Sequence, residues 1–343
     1  MLNSVQLGKS GLSVSQLCLG TMNFGIPGRG HQGDWTLTLD EARPIFKAAI
    51  EQGLYYFDCA DVYGLGASEE VVGSLLKELL PRDNYVLATK VANPMGPSSN
   101  QSGLSRKHIM EGVDASLKRL GHDYIDHLVI HRHPNGIRGQ QGEILIEETM
   151  EALNDVVKAG KVLYLGASSM FAWQFAELQL ISKMHGWQSF ISMQNHYNLV
   201  YREEEREMNP YCFQSGVAIT PWSPLARGIL AGAYKGGFSS GSTNRSQGQD
   251  RTRTESLYHG NHVFAVADRV IEIASKYGKT PAQIALAWMI NKPEITAPVV
   301  GVSKIDQLGQ LVQATKIKLD TEDVLYLEEL YTPVSNLLSI GYS

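Results

Sequence analysis

Asp58, Tyr63, Lys90 and His131 are four side chains whose types, taken together, can reduce a carbonyl group. A phenol ionises at about pH 10 and is a poor acid at neutrality, but a nearby ammonium favours phenolate and lowers that pKa. A carboxylate keeps the ammonium charged and in place. Tyr63 then becomes a usable proton donor, and an imidazole beside it can orient a carbonyl oxygen and stabilise the charge that develops there. No side chain delivers hydride, so this chemistry requires a nicotinamide cofactor. Singly, each residue has a plain structural explanation: a capping Asp, a snorkelling Lys, a satisfied core His, a loop Tyr. Their joint placement points to a site.

That placement follows from the elements that carry them. Eight short apolar runs of strand type recur along the chain: Leu17 to Gly20, Tyr55 to Asp58, Val86 to Lys90, Leu128 to His131, Val162 to Gly166, Phe190 to Gln194, Val217 to Trp222 and Ala297 to Val302. Between them lie segments with apolar residues at three and four spacing, such as Ala42 to Gln52, Glu69 to Leu80, His108 to Leu120, Glu148 to Lys158, Phe175 to His185 and Val263 to Tyr277. Strand and helix alternate, which implies right-handed crossovers and a parallel sheet, and eight such units match an α/β fold of the closed (β/α)8 TIM-barrel type. No linker or composition break divides the chain, so one domain over 1–343 is expected rather than a doubly wound sheet with a second domain. Val5 to Leu7 and Leu12 to Val14, around Gly8 and Gly11, form a hairpin pattern placed to plug the barrel floor. In a barrel the strand ends converge. Asp58, Lys90, His131, Ser168, Gln194 and Trp222 then share one mouth, with Tyr63 bending back over it.

Composition narrows the partners. Lys plus Arg number 30 against 35 Asp plus Glu, a net charge of -5, so no global basic field exists to hold a nucleic-acid backbone. No run approaches the roughly 18 apolar residues of a membrane span, and the opening residues lack a signal-peptide pattern; a cytoplasmic protein is expected. Cys18, Cys59 and Cys212 are widely spaced and read as reduced thiols.

A dinucleotide needs its own cradle. Gly28-Arg29-Gly30-His31-Gln32-Gly33 fits the G-x-G-x-x-G string but follows Pro27 rather than a strand, and no helix opens within it. The later strand ends serve better: Ser168, Ser169 and Gln194 can hydrogen-bond a carboxamide, and the flat face of Trp222 can stack on a nicotinamide ring. Gly301-Val302-Ser303-Lys304 leads into a helix that could hold a phosphate, although Ser303 to Asp306 equally makes a capping box. From Lys235 to Thr254 the chain has almost no apolar anchors, which predicts a mobile loop. With Arg245, Arg251 and Arg253 it reads either as a surface insertion or as a flap over an anionic ligand.

Several strings then resemble one family: Phe57-Asp58-Cys59-Ala60-Asp61-Val62-Tyr63-Gly64, Ala88-Thr89-Lys90, Ile130-His131-Arg132, Met193-Gln194-Asn195-His196-Tyr197-Asn198-Leu199 and Pro221-Trp222-Ser223-Pro224-Leu225-Ala226-Arg227-Gly228. In this order, over nearly the whole chain, they resemble the aldo-keto reductase superfamily, nearest its aryl-alcohol dehydrogenase-like and versiconal reductase-like branch. The resemblance implies a barrel that reduces aldehydes or ketones with NADPH, NADH being the lesser alternative. It implies Tyr63 as general acid, Lys90 and Asp58 as its tuners and His131 orienting the carbonyl. It implies cofactor contacts from Thr21 and Met22, from Ser168, Ser169, Gln194 and Trp222, and from Ser223, Pro224, Leu225, Ala226 and Arg227 along the pyrophosphate. Gly301, Ser303, Lys304, Gln307 and Gln310 would lie near the adenosine 2'-phosphate. Ser169 and Leu311 stand where many relatives carry Asn.

Two other classes share some of these features. His131-Arg132-His133 is similar to the His-x-His of metal-dependent barrel hydrolases, with both imidazoles on one face by alternation, but further ligands are missing and Lys90 would put a cation in the site. No metal is expected. Barrels of this family also serve as non-catalytic NADPH-binding subunits, against which the intact tetrad argues. The carbonyl substrate and the oligomeric state are not legible; the loops Gly25 to Trp35, Ala92 to Gly103 and His133 to Gly142 would set selectivity.

Overall fold

The computed structural model describes residues 2–30, 35–136, 144–234, 236–248 and 250–335, with the backbone alone at Asn244 and Arg245. Of the segments singled out above, His31 to Gly33, residues 137–142, Lys235, Gln249 and the Arg245 side chain lie outside the described residues.

Among the described residues ten strands are formed: β1 (Ser4–Gln6), β2 (Ser13–Ser15), β3 (Cys18–Gly20), β4 (Tyr56–Asp58), β5 (Val86–Val91), β6 (Ile125–Ile130), β7 (Val162–Ser168), β8 (Phe190–Gln194), β9 (Ala218–Ile219) and β10 (Val299–Val300). The helices are α1 (Leu39–Glu51), α2 (Ala67–Leu79), α3 (Arg106–Leu120), α4 (Ile146–Lys158), α5 (Ala172–His185), α6 (Met208–Ser215), α7 (Asn244–Gln247), α8 (Asp250–Leu257), α9 (Val263–Tyr277), α10 (Pro281–Ile290), α11 (Ile305–Ala314) and α12 (Thr321–Glu328).

Strands β3 to β10 make one parallel sheet in the order β10-β3-β4-β5-β6-β7-β8-β9. It curls shut where Thr296 N donates to Ile219 O at 2.9 Å and Val299 N to Pro221 O at 2.8 Å. Every residue of β5 and β6 is buried, as both faces of a barrel wall require. Around the wall α1 to α5 pack in succession, α1 on α2, α2 on α3, α3 on α4 and α4 on α5, and α11 packs on both α10 and α1, so helices ring the barrel. The (β/α)8 barrel is therefore present, and the floor is plugged as expected. Strands β1 and β2 pair antiparallel, and the fully buried Leu7 and Val14 pack with Cys18, Tyr56, Ala88 and Ala297 of the barrel. Gly8 makes this docking possible, since its φ is +64° and a Cβ there would stand 2.7 Å from the carbonyl oxygens of Gly216 and Ile191.

The sequence and structure differ in places. The seventh and eighth strands shrink to Ala218–Ile219 and Val299–Val300, because beyond Ile219 the pairing continues only as isolated bridges, Trp222 with His196 and with Val299. α6 carries too little amphipathic pattern to stand out, its buried residues being Met208, Asn209 and Cys212. The stretch expected as a bare loop contains α7 and most of α8. Phe238 supplies an apolar anchor, its ring centroid 4.9 Å from that of Phe264, and Arg227 holds α8 by pairing with Asp250 and donating from Nε to Thr254 Oγ1 at 3.2 Å. Among the described residues no helix is long and apolar enough to cross a membrane.

Candidate active site

The carboxyl ends of the strands bring the four predicted catalytic side chains together. Asp58 closes β4, Lys90 lies near the end of β5, and His131 follows β6, its N–H held by Val91 O at 2.9 Å. Tyr63 returns over the mouth in a turn where Tyr63 N donates to Ala60 O at 3.1 Å and Ser68 N to Tyr63 O at 3.2 Å. Lys90 is the hub. Its fully buried Nζ donates to Asp58 Oδ2 at 2.6 Å, to Cys59 O at 2.7 Å and to Tyr63 Oη at 3.3 Å. The Tyr63 and His131 rings meet edge to face with centroids 6.0 Å apart.

Electrostatics assign the protonation states. Burial alone would pull the Lys90 pKa down, but Asp58, Tyr63 and the hydrogen bond to Asp58 more than reverse it, so the ammonium persists. For Tyr63 the expected lowering by Lys90 is real but loses to burial, reinforced by Asp58, and the net direction is upward. The phenol is thus held protonated, as a donor, rather than poised as phenolate. Burial first, then Lys90, Arg132 and Arg253, hold His131 well below the usual imidazole range and hence neutral.

Two residues beside this group were not picked out by sequence. Asn93 Nδ2 lies 2.9 Å from His131 Nδ1. An amide N–H can only donate, so Nδ1 accepts and the ring proton sits on Nε2. The available signal was its position, a polar residue just past the end of β5 in a loop whose chemistry was otherwise unreadable. Arg132, quoted only as part of a motif, donates from Nη1 to His131 O at 2.8 Å and remains at the mouth.

The predicted cofactor residues form a connected arc. Gln194 Nε2 donates to Asp58 Oδ1 at 2.8 Å, joining the arc to the tetrad. Ser168, the last residue of β7, donates from Oγ to Gln194 O at 2.8 Å, and Trp222 Nε1 donates to Ser169 Oγ at 2.9 Å. His196 stacks on Trp222 with centroids 4.0 Å and planes 8° apart, backing one face of the indole. From Ser223 the backbone is strained: Ser223, Ala226 and Arg227 hold φ of 55°, 47° and 56°. Such left-handed non-glycine residues cost about 1 kcal/mol or more each and concentrate at functional sites. Pro224 and Leu225 lie within this turn, while the Arg227 guanidinium is already engaged by Asp250. Buried Thr21 donates from Oγ1 to Asp58 O at 2.9 Å, and partly buried Met22 follows it. Asn23 Nδ2, donating to Val302 O at 2.6 Å, ties this corner to the turn after β10.

At that turn the capping box falls one residue later than Ser303 to Asp306. Gln307 Oε1 accepts from Ser303 N at 2.9 Å and Lys304 N at 3.2 Å, opening α11. Gly301 and Lys304 are exposed, a Cβ on Gly301 would meet nothing within 4 Å, and Gln310 lies one turn along α11 from Gln307. The His-x-His reading fails locally: β6 stops at Ile130, and while His131 faces Asn93, His133 Nδ1 instead accepts from Asn135 N at 3.2 Å. Among the described residues no group of three or more His, Cys, Asp or Glu is placed to hold a metal ion.

A barrel with this polar mouth is the class of protein that the comparisons return. The aldo/keto reductase family model matches residues 16–332, and the chain belongs to that family. The relatives include a Schizosaccharomyces pombe protein provisionally named an aryl-alcohol dehydrogenase, 43% identical over 96% of this chain and 95% of its own length. Another is the versiconal hemiacetal acetate reductase of Aspergillus parasiticus, 42% identical over 96% of both chains. An aldo-keto reductase of Fusarium vanettenii is 40% identical over 95% of this chain and 90% of its own. The protein is therefore an oxidoreductase of the carbonyl-reducing kind.

Proposed function

We propose that the protein is an NADPH-dependent reductase of aldehydes or ketones, working as one barrel domain in the cytoplasm, with Tyr63 as the proton donor. The observation that carries this reading is the single Lys90 Nζ within hydrogen-bond reach of both Asp58 and Tyr63.

The arc fits a nicotinamide dinucleotide. Gln194 commits its N–H to Asp58 and keeps Oε1 for a carboxamide, Trp222 is backed on one face and offers the other, and the strained Ser223–Arg227 turn brings backbone close to a ligand. Thr21, Met22, Ser168 and Ser169 would complete the nicotinamide end, with Gly301, Ser303, Lys304, Gln307 and Gln310 at the adenosine end. Lys304, at the adenosine end, favours NADPH over NADH. When bound, the nicotinamide supplies the hydride.

The chain's own residues do the rest. His131 Nε2–H and Tyr63 Oη–H are the two donors for one carbonyl oxygen, which polarises the bond and fixes its orientation. As negative charge grows there, Tyr63 gives up its proton and Lys90 stabilises the phenolate left behind, while Asp58 holds Lys90 in place. Asn93 acts through His131 by keeping its proton on Nε2. The aromatic side chains Trp35, Tyr63 and Trp222, and the names of the relatives, favour aromatic aldehydes. The test is a carbonyl panel with NADPH and NADH, read by loss of the reduced nicotinamide absorbance. Steady turnover of aryl aldehydes with NADPH supports the reading. Cofactor binding without turnover on any carbonyl would replace it with the binding-subunit alternative.

A further inference from the structure

Arg132 is an unusual cation for this site. It is partly buried, and among the described residues its one hydrogen bond is to the neutral carbonyl oxygen of His131, the residue before it. No carboxylate pairs with it among the described residues, in a chain with more acidic than basic residues. Its neighbours along the flap are treated otherwise: Arg227 is paired with Asp250, and Arg251 with Glu255 at 2.7 Å. Arg253, on α8 between those pairs, also has no carboxylate partner among the described residues and is exposed. The hydrogen bond from Arg227 to Thr254, and that between His196 Nε2 and Tyr258 Oη at 2.7 Å, with His196 stacked on Trp222, fasten this helix beside the mouth. Arg253 is near enough to act electrostatically on both His131 and Arg132, and burial first, then Arg253, pushes the Arg132 guanidinium down to about 10. Two cations that repel each other without a carboxylate partner are destabilising by themselves, and an oxyanion shared by them would relieve both the repulsion and the missing hydrogen bonds.

We propose that Arg132 and Arg253 form a receptor for an oxyanion carried by the carbonyl substrate, a carboxylate or a phosphate on the far side of the reacting group. The inference rests on the carbonyl-reductase reading of Tyr63 and His131. It adds that the preferred substrates are anionic. Arg132 supplies a fork fixed beside the catalytic imidazole, and Arg253 closes over the anion from the flap.

The test compares matched pairs with saturating NADPH: 4-formylbenzoate against its methyl ester, and glyceraldehyde 3-phosphate against glyceraldehyde. In the wild type, kcat/KM for at least one anion should exceed that of its neutral partner by about tenfold, the effect of one charge-assisted hydrogen bond. Which pair shows it identifies the oxyanion. Arg132→Met and Arg253→Met should each cut that ratio by about tenfold, chiefly through KM, and added salt should erode it. Arg253 is exposed, so its variant tests the claim even where Arg132→Met folds poorly. Equal rates for acid and ester and for both sugars in the wild type would overturn the proposal. So would a rise in the NADPH dissociation constant in both variants with the ratio intact, since the pair would then grip the cofactor. Benzoate binding, followed by calorimetry, separates the two claims. If no carbonyl turns over yet wild type binds benzoate and Arg253→Met does not, the receptor stands and the reductase reading falls; no benzoate binding together with no anion preference removes the receptor.

Discussion

Lys90→Met perturbs stability and chemistry by different amounts, and the structure says by how much. The lost Nζ donates to Asp58 at 2.6 Å, Cys59 O at 2.7 Å and Tyr63 at 3.3 Å from a fully buried position. The variant leaves Asp58 charged and buried with the Gln194 amide as its remaining side-chain partner, and stranding one member of a buried ion pair is destabilising by roughly 3–5 kcal/mol. The phenolate formed at Tyr63 also loses a charge-assisted hydrogen bond worth about 1.5–3 kcal/mol, a rate loss of roughly 10- to 150-fold. The double variant Asp58→Asn/Lys90→Met separates the two effects. It keeps an acceptor for Gln194 but removes both charges, so the unfolding free energy from urea titration should return to within about 2 kcal/mol of wild type while kcat stays low. A double variant as unstable as Lys90→Met would show that the ion pair is not what the folded state depends on. Recovery of activity in the double variant would remove Lys90 from the proton donor's support.

Other predictions follow from neighbouring groups. Asn93→Asp keeps the shape of the side chain but turns the donor to His131 into an acceptor, which moves the ring proton to Nδ1. It should lower kcat more than Asn93→Leu does, with little change in NADPH affinity by fluorescence titration. Because burial raises the Tyr63 pKa, carbonyl reduction should hold level through neutral pH and fall only in the alkaline range, while alcohol oxidation, which needs the phenolate, should climb with pH. His127 and His196 are buried and neutral with pKa values of about 3 against 6.5 when free. Between those values the unfolded chain takes up protons that the folded one refuses, so stability is lost as pH falls, by about 2 kcal/mol per histidine at pH 5 in urea titrations.

The barrel was legible because its walls repeat. β5 and β6 are buried on both faces and stand out as continuous apolar runs, and the helices between them keep a clear periodicity. The runs at β9 and β10 read longer than the strands because residues at the mouth, such as Pro221 and Trp222, extend the apolar run but pair only through isolated bridges. The meeting of Asp58, Tyr63, Lys90 and His131 was legible because each sits at a strand end or just past one, and topology makes such ends meet. Asn93 and Arg132 were not, since their meaning lies in contacts across loops that carry no period. α8 was missed for a related reason: it docks through Arg227, Asp250 and Thr254 rather than through an apolar stripe. The direction of the Tyr63 shift depended on burial outweighing a nearby cation, a balance that spacing cannot supply.

The central claim is that Tyr63 gives the proton to a carbonyl reduced with NADPH, and Tyr63→Phe tests it most directly. The variant keeps the ring beside His131 and removes only the hydroxyl that Lys90 supports. It should bind NADPH as tightly as wild type by fluorescence titration and lose carbonyl reduction by roughly 10²- to 10⁴-fold in single turnover. Reduction by Tyr63→Phe at a rate near that of wild type would contradict the account.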